Sequence, residues 1–231
     1  MTVGIIGAME EEVSGLAEKL EEKKETVCAG MRFLTGRISG KDVALVCSGI
    51  GKVNAAVAAS ILIERFHADC ILNTGIAGGI APEVKLGDLV LSTDCLEHDF
   101  DVTAFGYEKG VIPRMETSTF PADQRLLELA KACEEEFASG VTVHAGRVVS
   151  GDLFVASREK KEELYRDFCG SCCEMEGAAI AHTAYLYGVP YLVIRAISDQ
   201  ADMKATENYP EFTAQAIENF LKLTLRMLEA L

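Results

Sequence analysis

Short apolar runs that end in glycine or acidic residues alternate with stretches of helical periodicity along the whole chain. That alternation leaves few architectures open. Strands separated by helices imply a largely parallel central sheet covered on both faces. Met1–Ala8 reads as a buried strand, and Met9–Glu22 as a helix with Val13, Leu16, Ala17 and Leu20 on one face. Arg32–Ile38 and Val43–Cys47 flank a Ser39-Gly40-Lys41-Asp42 turn and predict an antiparallel hairpin. Helical patterns follow over Val53–Phe66, Leu126–Phe137, residues 156–168, Glu176–Tyr187 and Phe212–Leu231, with Gly188 closing the fourth. Strands are expected at Cys70–Asn73, from Gly87-Asp88 to Cys95, at Val141–Val149 and at Tyr191–Ile197. Residues 98–121 lack periodicity, and so long an irregular stretch predicts a functional loop or an interface. With no repeat or linker, residues 1–231 are expected to form one α/β domain, a mixed sheet flanked by helices.

Composition narrows the function. There are 22 Lys+Arg against 36 Asp+Glu, a net charge of −14, whereas a nucleic-acid partner calls for clustered cations. The charge runs Glu10–Glu12 and Glu21–Glu25 read mainly as solvated helix surface. Of the eight cysteines, Cys47 and Cys70 sit in apolar runs, Cys133 lies on a helix's apolar stripe, and Cys172 and Cys173 are adjacent, which predicts reduced core thiols in a cytoplasmic protein. Four scattered histidines give no metal-ligand spacing, and no apolar run is long enough for a signal segment or a membrane span.

Polar and glycine-rich residues gather where strands end: Glu10–Glu12, Gly75–Gly79, Ser150-Gly151-Asp152, Glu174–Glu176 and Ser198-Asp199. In open α/β sheets ligands collect at such carboxyl ends. Gly49-Ile50-Gly51 lacks the third glycine of a dinucleotide fingerprint and reads as a tight turn. Gly75-Ile76-Ala77-Gly78-Gly79 would let a ligand approach the backbone closely. Phe154 serves either as core packing or as a stacking platform for a flat base. Extended geometry through Glu176 would turn Glu174 and Glu176 to one side, although both also complement a helix N-terminus. Asp199 is either the cap of a turn or a further carboxyl in the same cleft as Glu12, Glu174 and Glu176. Crowded, desolvated carboxyls raise one another's pKa, giving a protonated acid beside an ionised base. Glycosidic cleavage needs that pair.

Six segments together resemble the bacterial 5'-methylthioadenosine/S-adenosylhomocysteine nucleosidase family. They are 4–12 (GIIGAMEEE), 48–53 (SGIGKV), 102–107 (VTAFGY), 149–152 (VSGD), 174–176 (EME) and 195–199 (RAISD). The resemblance implies a three-layer nucleoside phosphorylase-like fold, a homodimer, an adenine nucleoside substrate and no cofactor or metal. It assigns Glu12 as the base that activates water and Asp199 as the acid that protonates the purine, with Ser198 holding Asp199. Glu176 would bind the ribose hydroxyls, Met175 would pack under the sugar, and Phe154 would stack on adenine. The Val155 backbone would read the purine edge, while Ala77 and Gly78 line the pocket beside Glu174. Phe105 and Pro113 would reach the partner subunit's site. Two positions depart from the pattern: Ile76 replaces a frequent serine, and Tyr209 a phenylalanine that closes the site. A cleft this acidic repels phosphate, so water is the expected nucleophile rather than phosphate.

Overall fold

A computed structural model describes residues 1–133, 140–203 and 205–231, with residues 206–211 described as backbone only. Its elements in chain order are β1 (Thr2–Gly7), α1 (Glu10–Lys19), β2 (Glu21–Cys28), β3 (Met31–Ile38), β4 (Lys41–Cys47) and α2 (Lys52–Phe66). Then come β5 (Cys70–Gly79), β6 (Leu89–Glu97), β7 (Phe120–Pro121), α3 (Gln124–Ala132) and β8 (Val143–Ser150). The chain continues through α4 (Arg158–Phe168), β9 (Gly170–Glu174), α5 (Gly177–Tyr187), β10 (Tyr191–Asp199) and α6 (Ala205–Ala230).

β1 lies between parallel neighbours β4 and β5, and its Ile5 stands opposite Leu45 and Leu72. β5 runs parallel to β10 along its other side, and its last residues, Gly78 and Gly79, pair with β9. β9 and β6 both run parallel to β8, and β6 returns antiparallel to β10. Five strands, β5, β10, β6, β8 and β9, thus close a ring at one end of the mixed sheet, while β4, β3 and β2 extend the other end.

Helices cover both faces. The small side chains Ala55, Ala58 and Ala59 of α2, with Ala178, Ala181 and Ala184 of α5, let these helices lie close on one face. Val13 and Leu16 of α1, Leu126 of α3 and Phe220, Leu223 and Met227 of α6 pack on the other. Burying such side chains contributes about 1.5–3 kcal/mol for each large one. Several helices start and stop on sequence-legible signals: Asp123 and Ser157 cap α3 and α4 by accepting from Leu126 N and Lys160 N, and Gly188 (φ 67°) ends α5.

Four expectations are corrected. α1 stops at Lys19, and residues Glu21–Cys28 form an edge strand instead of continuing a helix. Their side chains are exposed or half-buried and mostly charged, a pattern that keeps an open sheet edge from pairing further. Second, β5 does not end at Asn73 but continues through the glycine-rich run to Gly79. Third, Gly170–Glu174 is a strand, and it ends before Glu176. Fourth, α6 begins at Ala205 rather than Phe212. Phe137, expected to extend α3, and the Tyr209 side chain lie outside the described residues.

Candidate active site

The turn from β1 into α1 sets the first carboxylate. Glu12 occupies the first turn of α1, where free backbone N–H groups and the positive dipole end favour an acid. Its Oε2 accepts from Ala8 N (2.7 Å) and Met9 N (3.0 Å), and its Oε1 accepts from Ile76 N at 3.0 Å. Only 4% of Glu12 is exposed. Burial pushes its carboxyl above the usual range, against the opposing pull of Arg195 and the three N–H groups.

Arg195 lies beneath the acidic groups on β10, itself 2% exposed. Its guanidinium donates to Glu174 Oε2 through both Nε and Nη2, and Nη2 also donates to Asn73 Oδ1 at 2.6 Å. Glu174 Oε2 further accepts from Glu176 N (3.1 Å) and Gly177 N (2.8 Å), and Oε1 accepts from Ser150 Oγ. The Glu174 carboxylate is occupied by protein donors, although the residue stands in the cavity wall. The premise of extended geometry through Glu176 also fails, since Glu176 sits at φ −135°, ψ −41° as α5 begins. The two glutamates nevertheless line one cavity.

Glu176 has a freer carboxylate. Oε1 accepts from Gly51 N at 2.8 Å, and Oε2 lies 4.0 Å from Arg195 Nη2. Burial and then the charge of Glu174 push its carboxyl up to about 7, with Arg195 and the Gly51 N–H pulling the other way. Gly51 carries φ +99°, a conformation that favours glycine, so the Gly49–Gly51 turn aims an N–H at the site as well as opening α2.

Asp199 ends β10. Its Oδ1 accepts from Ala201 N (2.8 Å), so it caps the turn after β10, and its Oδ2 accepts from Ser198 Oγ (3.0 Å); the same carboxyl also lines the cavity, so both sequence readings hold. Burial raises its pKa, the Ala201 N–H and Ser198 hold it down, and Asp202 adds like-charge repulsion. Glu12, Glu174, Glu176 and Asp199 thus line one cavity open to solvent. Glu12, Glu176, Ser198 and Asp199 supply its polar wall, and Met9, Ile50, Ile76, Ala77, Phe154 and Met175 its apolar one. A few convergent polar groups in an apolar shell are the make-up of a small-molecule site.

The glycine-rich strand lines the cavity at Ile76, Ala77 and Gly78, and its glycines have a further use. A Cβ on Gly75 would stand 2.5 Å from Glu12 Oε1, and one on Gly78 would stand 2.8 Å from Asp199 Oδ1. These glycines make room for the two carboxylates. Phe154, 46% exposed, stands at the cavity mouth, and Val155 lines a smaller adjoining cavity with Gly78 and Asp199. Phe105 (83% exposed) and half-buried Pro113 stand apart from the cavity of their own chain. Sequence reasoning named Ser150 at a strand end and Arg195 within a motif but gave neither a role, and it did not single out Asn73. An arginine inside the apolar run Tyr191–Ile197 was the available signal, because a buried cation needs a buried anion.

A family model described as the phosphorylase superfamily matches residues 2–229. A 5'-methylthioadenosine/S-adenosylhomocysteine nucleosidase from an Exiguobacterium species is 42% identical over 100% of this chain and 99% of its own length. The chain belongs to this nucleosidase family. Among solved structures, the Neisseria meningitidis nucleosidase in complex with methylthio-immucillin-A matches with a TM-score of 0.95 and 42% identity, covering 100% of this chain and 99% of that one. The native futalosine hydrolase of Helicobacter pylori also matches with a TM-score of 0.95, at 32% identity over 100% of this chain and 98% of that one. The nucleoside phosphorylase-like fold read from the sequence is borne out, and with it the nucleosidase family.

Proposed function

We propose that this protein hydrolyses the N-glycosidic bond of 5'-methylthioadenosine and S-adenosylhomocysteine, and of 5'-deoxyadenosine, releasing adenine and the 5-substituted ribose. One observation carries the reading: Glu12 and Asp199, drawn from opposite ends of the sequence, share one cavity with a raised pKa at each. Glu12, ionised and anchored by three N–H groups, takes a proton from water as the water oxygen bonds to C1'. The C1'–N9 bond breaks with its electron pair passing to the purine, while Asp199 delivers its proton to N7. Ser198 holds Asp199 in place, Glu176 accepts from the ribose hydroxyls, and Met175 packs beneath the sugar. Phe154 stacks on adenine, the Val155 backbone meets its edge, and Ala77 and Gly78 line the pocket. The ribosyl transition state is positive, so surrounding carboxylates stabilise it more than the neutral substrate.

The working unit is taken to be one domain in a cytoplasmic homodimer, with Phe105 and Pro113 entering the partner's site around the 5'-substituent. Among the described residues no helix is long and apolar enough to cross a membrane.

The test is adenine release in phosphate-free buffer from each nucleoside, with futalosine as competitor because of the Helicobacter likeness. Asp199→Asn should remain folded, bind adenine nucleosides and lose about 10²–10⁴-fold in kcat. Full activity in that variant, or a requirement for phosphate in the native protein, would defeat the assignment.

A further inference from the structure

We propose that Lys161 is a positioning residue for Asp199: it fixes the turn that carries the acid, through Gln200, and sets a positive charge near the carboxyl that gives up its proton. The proposal rests on the hydrolytic reading of the site. On α4, Lys161 shares one stripe with buried Leu164 and Phe168, at i, i+3 and i+7, whereas its neighbours pair at the surface. Arg158 bonds Glu162 at 2.7 Å, and Glu163 accepts from Lys109 (2.8 Å) and Lys160 (3.1 Å). A half-buried lysine facing the core needs an acceptor there. It finds two on one residue: Nζ donates to Gln200 O at 2.7 Å and to Gln200 Oε1 at 3.3 Å. Gln200 Nε2 in turn donates to Val84 O at 3.4 Å, so the clamp ties α4 to the loops after both β5 and β10.

The clamped turn is a strained one. Ala201 has φ +50°, in the left-handed region that side chains other than glycine disfavour, yet its N–H must point back to Asp199 Oδ1 at 2.8 Å. Holding the preceding carbonyl keeps that geometry. The groups acting on Asp199 are Ala201 N, Ser198, Asp202 and Lys161, with the buried Cys173 thiol beyond it on β9. Burial and Asp202 keep the proton on. Lys161 acts in the opposite sense, so the carboxylate left after proton transfer faces a cation. Lys161 is not part of the main cavity wall, so it acts only through Asp199 and Gln200.

The experiment compares Lys161→Met and Lys161→Arg with the native protein by thermal unfolding, 13C NMR titration of the Asp199 carboxyl, and the pH profile of adenine release. Lys161→Met should raise the Asp199 titration by about half a pH unit. Activity needs the protonated acid, so the alkaline limb of kcat/KM should move upward by the same amount. Loosening the turn should lower kcat about tenfold, more than KM changes. Lys161→Arg keeps the charge and should restore most of both. If the Met variant fails to fold, Lys161→Gln makes the same comparison. An unchanged Asp199 titration in a folded neutral variant overturns the proposal, as does an Arg variant no better than Met. A native protein that releases no adenine sinks the hydrolytic reading, and the carboxyl titration still decides the role of Lys161.

Discussion

A methyl group added at residue 75 would lie 2.5 Å from Glu12 Oε1 and 2.7 Å from Arg195 Nη1. Neither neighbour can give way cheaply. Glu12 is held by three N–H groups, and Arg195 is bonded to Glu174 and Asn73. Gly75→Ala should therefore displace the base, lowering kcat about 100-fold at a cost of about 1–3 kcal/mol in unfolding free energy. Steady-state kinetics and denaturant unfolding of the one variant check both numbers. Glu176 poses the opposite case, a native group that works against stability. Its folded pKa is raised from 4.5 to about 7, so the native state holds the proton more tightly than the unfolded chain does. Stability from this group is full below pH 4.5 and is lost as pH rises through 7, a change of up to about 3 kcal/mol. Glu176→Gln keeps an oxygen for the Gly51 N–H and removes the charge. It should be more stable than the native protein at pH 8, with the difference closing toward pH 5 in calorimetry. A variant less stable at pH 8 would show that Arg195 already compensates the charge.

Three strands meet at Arg195, which stands on β10 and bonds Asn73 of β5 and Glu174 of β9, and the meeting explains what the sequence could and could not reveal. β10 and the first half of β5 are legible because both are continuous apolar runs, the signature of strands buried on both faces. The second half of β5 is not, since Gly75–Gly79 carries no apolar alternation and its glycines answer to carboxylates that arrive from distant elements. β9 spans only five residues and is fixed by pairing with β5 and β8, long-range contacts that leave no local mark. β2 hides for another reason: a charged edge strand looks like a charged helix surface. Glu12 and Asp199, the proposed base and acid, stand out in the sequence as residues, but the Glu174–Arg195 pair beneath the site required the fold. Because that pair is fully buried, Arg195→Met should cost about 3–5 kcal/mol, mainly by leaving Glu174 charged and unpaired. Adding Glu174→Gln should return a good part of that loss, and a double-mutant cycle by denaturant unfolding measures it. Equal instability in the single and double variants would mean that packing, not the orphaned charge, sets the cost.

The whole molecule carries a net charge of −14, so two copies repel at long range, and short-range contacts such as apolar side chains must outweigh that repulsion for them to associate. Such side chains are present: Ile50 (55% exposed) and Val53 (75%) about the start of α2, and Phe105 (83%) and Tyr107 (43%) on the long loop. The exposure of the Phe105 ring fits a side chain destined for the partner's site in the proposed homodimer. Complementation tests this directly. Phe105→Ala and Asp199→Asn are each expected to be strongly impaired alone. In a mixed dimer, the subunit with native Asp199 receives native Phe105 from its partner, so one of the two sites is whole. Random pairing of co-expressed variants makes about half the dimers mixed, and activity should recover to about a quarter of the native level. If Phe105 instead served its own chain's site, every mixed dimer would hold one site lacking the ring and one lacking the acid. Activity would then stay at the sum of the two separate variants, and the loop would have to be assigned within the subunit.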